Sequence, residues 1–199
     1  MGDVRRFQQV GGHVAIDFVN TLGGRPDDPD DEYLHRYDDL VHWTQRVALL
    51  SPAGAAHLLA VADRDDVTAA GILEQSRQLR ESLDRLLRYR TDPADRQDDG
   101  AAVHAAYLSA IAHALPEFTS GRLHWRWHDD ADDLERPLWP IAVAAVDLLQ
   151  TGPLQLLGRC HHCRWLFLDT SRQHNRRWCS MSACGAIVKM RRYRAARRP

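Results

Sequence analysis

The stretch CHHCRWLFLDTSRQHNRRWCSMSACGAI, residues 160–187, holds all four cysteines of a 199-residue chain within 25 positions. Their spacing is Cys160-x2-Cys163-x15-Cys179-x4-Cys184. A C-x2-C turn brings two thiolates onto one ion, and a second pair beyond a hairpin-sized insert completes the tetrahedron that zinc prefers. Four thiolates leave no open coordination position, so the spacing predicts one structural Zn2+ rather than a zinc-activated water. His161, His162 and His174 lie in the same stretch but are surplus to a complete ligand set. A redox C-x2-C is the rival reading, and no βαβ setting surrounds it.

Working outward, RWLFLDTSR between the two cysteine pairs reads as a strand with Leu166 and Leu168 on one side and Trp165 and Phe167 on the other. A module of about 40 residues cannot build an adequate apolar core, so the ion is expected to supply much of its folding free energy. Beyond Cys179, Ser182 is the expected cap of a helix over 183–197. Residues 159–199 carry eleven basic side chains against one acid, whereas the first 158 carry 15 basic and 26 acidic. A split of that size points to an anionic partner for the basic part. Arg191, Arg194 and Arg198 fall three and four residues apart on one helical face, with Lys189, Arg192 and Arg197 flanking them and Arg172, Arg176 and Arg177 around the metal site. These nine side chains are the candidate DNA contacts, through phosphates or through guanine edges. Trp178 offers either base stacking or packing over the zinc site, and packing is the commoner use.

Towards the N-terminus the pattern is helical. Helices are expected over 38–50 (Leu40, Trp43, Val47, Leu50; Asp38 or Asp39 as cap), over 52–63 and over 66–90. The third has an apolar stripe of Ile72, Leu79, Leu83 and Leu86, and a wet side with i,i+4 pairs Arg77–Glu81, Glu81–Arg85 and Asp84–Arg88. TDPADRQDDG (91–100) reads as a linker, 101–115 as a helix stopped by Pro116, and RLHWRWH (122–128) as a strand with one buried face. A last helix carries Leu138, Ile141, Ala145 and Leu148, tolerates Pro137 and Pro140 in its first turn, and ends at Gly152-Pro153. HVAIDFVNTLGGR, residues 13–25, fits a short strand or a buried turn. Within it Asp17, Asn20 and Thr21 either line a small-molecule pocket or satisfy buried backbone groups at a turn.

The fold class expected is therefore α+β: a mainly helical domain with one or two short strands over 1–152, and a zinc-binding hairpin and helix over 153–199. The chain has neither an apolar run long enough to span a bilayer nor a secretory leader, so a cytoplasmic, non-membrane protein is expected. GGRPDDPDDE lacks the lysine of a phosphate-binding loop, and no nucleophile motif accompanies His13 and Asp17; no enzymatic activity is expected.

Cys160 to Arg198 resembles the CGNR zinc fingers, through C-x2-C, FLDTSR, RRWCSMSACG and KMRRYRAARR. AIDFVNTL, YDDLVHW and LRESLDRLLR resemble the ABATE domain that precedes such fingers. The resemblance implies a bacterial transcription regulator; the charge split, the zinc scaffold and the arginine row point to DNA binding through the basic module, and the N-terminal domain is expected to sense a small-molecule effector or form a homodimer. The alternative is an adaptor whose zinc module grips an acidic protein. One departure falls on the naming motif: Cys184-Gly185-Ala186-Ile187 stands where the pattern has Cys-Gly-Asn-Arg. The ligands are intact, while the arginine that would head the row is replaced by Ile187.

Overall fold

The computed structural model describes residues 7–24, 31–88 and 93–197. It divides into two compact units, Leu34–Gln150 and the pair of segments Met1–Tyr33 and Thr151–Pro199. By packing, therefore, the segment before Leu34 groups with the cysteines rather than with the helices that follow it in sequence.

The helical unit begins with α2, Tyr37–Arg46, after a short α1, Val14–Val19, that belongs to the other unit. Asp39 is not the cap itself: it sits one turn in and its carboxylate accepts from the His35 and Arg36 amides at 2.9 and 3.0 Å. α3, Pro52–Ala62, opens on proline and is capped by Ser51, whose hydroxyl accepts from the Gly54 amide at 3.0 Å. α4 spans Asp66–Arg88 and buries Ile72, Leu79, Leu83 and Leu87. Its charges are not uniformly wet. Asp84 and Arg88 do pair, at 2.7 Å, but both are nearly buried, and Arg77 donates to the Leu34 carbonyl and lies beside Glu74 rather than Glu81.

The expected linker at 91–100 is largely helix, because α5 runs Pro93–Ala112. Proline suits a first turn, whose amides have no helical partner. Asp99, read as linker acid, is buried and takes a forked pair of hydrogen bonds from Arg85 of α4, the shortest 2.7 Å. A strand absent from the sequence reading follows: β1, Leu115–Thr119, pairs antiparallel with β2, Arg122–Arg126. Ser120 and Gly121 both take positive φ, as a two-residue hairpin turn requires. The expected buried face of β2 does not form, since only Trp125 is half-buried and Phe118 is 78% exposed. α6, Leu138–Thr151, closes the unit as expected, and Leu40, Trp43, Leu58, Leu83, Ile141 and Leu148 fill its core.

In the other unit α1 is a helix, Val14–Val19, not a strand. A 3-10 turn at Leu154–Leu156 leads into β3, Leu157–Arg159, which pairs antiparallel with β4, Leu166–Leu168. A π-helical turn, Met181–Gly185, then passes into α7, Ala186–Ala195. The cap is Ser180, whose hydroxyl accepts from Ala183, rather than Ser182. Among the described residues no helix is long and apolar enough to cross a membrane.

Candidate metal centre and nucleic-acid interface

β3 and β4 are held in register at the base of the first cysteine pair. The Cys160 amide donates to the Trp165 carbonyl at 2.9 Å, closing the C-x2-C turn, and the His161 amide donates to Arg177 at 3.0 Å. Opposite Phe167 in the ladder stands Gly158, and a Cβ there would lie 2.6 Å from the ring. The aromatic ring therefore packs on bare backbone. Cys179 and Cys184 arrive from the other side, the latter from within the π turn.

All four sulfurs lie within 4.8 Å of one another, with Cys163–Cys179 at 3.6 Å and Cys179–Cys184 at 3.5 Å. None of the four is in a disulfide. Tetrahedral zinc at its usual Zn–S length places sulfurs about 3.8 Å apart, so the cluster has the right size. Its protonation chemistry fits too. Four thiolates held this close repel one another, and the hydrogen bonds among them leave the Cys160 thiol below the usual thiol range and that of Cys179 above it. A dication resolves that conflict by stabilising all four as thiolates. No His, Asp or Glu joins the cluster among the described residues: His162 is buried beside it, His161 meets Trp178 edge-on at 5.7 Å, and His174 Nδ1 pairs with the Asp169 carbonyl.

The apolar surround is Tyr33, Trp165 and Phe167, with Phe7, Val10 and Trp178 packed against them. Trp178 is thus a packing residue, half-buried on the metal site. Tyr33, Phe7 and Val10 come from the N-terminal segment, which the sequence reading kept apart from the finger. The join is specific. Asn20 donates its amide to the Leu166 carbonyl and accepts from the Leu166 amide, both at 2.9 Å, so one side chain completes the open edge of β4. The Leu168 amide donates to Gly11 at 2.8 Å. Asp17 Oδ1 accepts from Val10 and Gly11 at 2.9 and 2.7 Å, a geometry that leaves no room for a Cβ on Gly11. The Thr21 hydroxyl donates to Phe18. Of the two readings open for Asp17, Asn20 and Thr21, the structure supplies the one in which buried side chains satisfy backbone groups.

The nine expected nucleic-acid residues divide. Arg172, Arg177, Lys189, Arg191, Arg192, Arg194 and Arg197 are exposed. Arg198 lies outside the described residues. Arg176 must be removed from the set: its guanidinium stacks on Phe167 at 4.2 Å and donates to the Trp178 carbonyl at 3.0 Å, to Val10 at 3.2 Å and to Cys179. Arginine is spent there on three backbone carbonyls that flank the metal site, a role its neighbours in a basic run conceal. α7 buries none of its residues, and Ile187, at the head of the arginine row, is half-buried.

Two family models match the chain. ABATE, described as a putative stress-induced transcription regulator, covers residues 12–152. The CGNR zinc finger covers residues 157–197. No curated protein matches it. The finger match and the four converging cysteines together make this one structural zinc site.

Proposed function

The chain belongs to the ABATE family and carries a CGNR zinc finger, and from that premise we propose that it regulates transcription by docking α7 on duplex DNA. The observation that carries this reading is the state of α7 itself. Every residue from Lys189 to Arg197 is exposed, and five of them are cations. A helix of ten residues without a buried face is marginal in water, and the like charges of Arg191 and Arg194 one turn apart weaken it further. Phosphates reverse that balance by neutralising the row. The zinc site anchors the N-terminal end of α7 through Cys184 in the preceding turn, so the helix is presented from a fixed base. Arg177, over the Trp178 ring that adjoins Gly185, adds charge near the same base. The helical unit then has the regulatory role, binding an effector or a second copy of the chain.

Titration of a labelled random duplex at two salt concentrations tests the proposal. Binding should weaken steeply with salt, by roughly 0.9 log units in affinity per log unit of salt for each phosphate contacted, and helical circular dichroism should rise on binding. Absence of binding at low salt, or binding indifferent to salt, overturns it. Retention of a protein partner after nuclease treatment would favour the adaptor instead.

A further inference from the structure

Arg136 in the helical unit is only 4% exposed, yet it is not fully paired. Its Nε donates to the His128 carbonyl at 3.3 Å, its Nη2 lies 3.5 Å from Asp129, and its Nη1 has no partner among the described residues. Burial pulls its pKa down, with Asp129 opposing. Buried guanidinium hydrogens are normally all engaged, and one left over in a wall is the mark of a missing acceptor. The wall belongs to a cleft of about 530 Å3 lined by Leu49, Trp125, Trp127, Asp129 and Pro140 besides Arg136 itself. That is the size of a small-ligand site.

From this arrangement we infer that the helical unit binds a small organic monocarboxylate, its carboxylate completing the hydrogen bonding of Arg136 and its apolar body lying against Trp125 and Trp127. Charge limits the ligand to one negative charge. Asp129 already shares the guanidinium, and the other arginine of the lining, Arg126, stands 3.6 Å from Glu117. A dianion such as phosphate would leave uncompensated charge beside Asp129. The body is apolar where it meets two indoles two residues apart and a proline, while Arg126, His128 and Asp129 make the rest of the lining polar. Trp127 is fixed in place, its Nε1 donating to the Ala110 carbonyl at 2.9 Å and its ring 5.5 Å from the Arg136 guanidinium. A bound carboxylate would therefore be reported by the tryptophans directly. The site lies in the ABATE-matched region and shares no residue with Asp17, Asn20 or Thr21.

The test uses the full chain without DNA, so its outcome is independent of the DNA-binding proposal. Benzoate and hexanoate are titrated while tryptophan fluorescence and heat are followed, with benzamide and inorganic phosphate as controls. At least one carboxylate should saturate, with benzamide and phosphate roughly tenfold weaker or more, as loss of a charge-assisted pair predicts. Arg136→Met should weaken the carboxylate by roughly tenfold or more and Arg136→Lys by less, because lysine keeps the charge but not the fork. Should Arg136→Met not fold, Trp125→Ala, at a half-exposed strand position, removes a wall and is expected to weaken binding severalfold. No saturable response from either carboxylate up to about 50 mM overturns the inference. So does equal binding of benzoate and benzamide, or undiminished binding in folded variants.

Discussion

The two units of this chain are held together by different physics. In the helical unit the largest fully buried side chains are Trp43, Arg80, Leu34, Leu40, Leu58, Leu83, Ile141 and Leu148, so apolar contact makes most of a core that also encloses one guanidinium. In the other unit three of the six buried core residues are cysteines that converge on one point. There the remaining aromatic residues are borrowed from both ends of the chain. The first unit is one continuous segment, whereas the second draws on an ion-binding cysteine cluster and on two segments distant in sequence.

The strongest way to break this contrast is to remove a ligand. Cys179→Ser should abolish zinc retention and unfold the cysteine unit, because structural zinc contributes on the order of 10 kcal/mol, more than a unit of this size can spare. Limited proteolysis should then cut within 157–197 while the fragment 34–150 resists. Trp43→Ala probes the opposite side. It should cost about 3–5 kcal/mol in thermal or denaturant unfolding of the helical unit and leave one zinc per chain.

Asn20→Ala sharpens the comparison at the join. Both Leu166 backbone groups would lose their partner in a buried position, a loss of about 2–4 kcal/mol, read as faster amide exchange in β4 with the helical unit unmoved. Asp17→Asn has the smallest effect, and it depends on pH. Burial raises the Asp17 carboxyl from 3.8 to about 6 against the Gly11 and Val10 amides that lower it. Between those values the folded chain holds a proton that the unfolded chain has released. The stability this contributes is complete below about pH 4 and is lost as pH rises through about 6. The wild-type stability minus that of Asp17→Asn should therefore fall over that window, by no more than about 3 kcal/mol, with the acid lability of the zinc site cancelling in the difference.

Much of this was legible in the residues. The cysteine spacing located the metal site because ligation requires a local pair on each side, and the stripes through Leu40, Leu83 and Leu148 located helices because periodicity is local too. What could not be read is contact across the chain. Nothing near Asn20 announces a strand edge 146 residues away, and Arg176 looks like its exposed neighbour Arg177 until the carbonyls around it are in place. Asp99 reads as linker in the sequence because its arginine partner lies on another helix. β1 was hidden because Pro116 serves both as a helix stop and as a residue of an exposed strand, while the hairpin that contains it lacks the buried face its alternation suggested.

The most direct measurement is zinc stoichiometry on the purified chain, paired with amide hydrogen exchange before and after chelation. The account predicts one zinc per chain, with stripping opening the amides of Cys160, Leu166 and Leu168 while those of α4 around Leu83 stay protected. A metal-free chain whose β3–β4 amides are already protected, or a stripped chain whose exchange is unchanged, contradicts it.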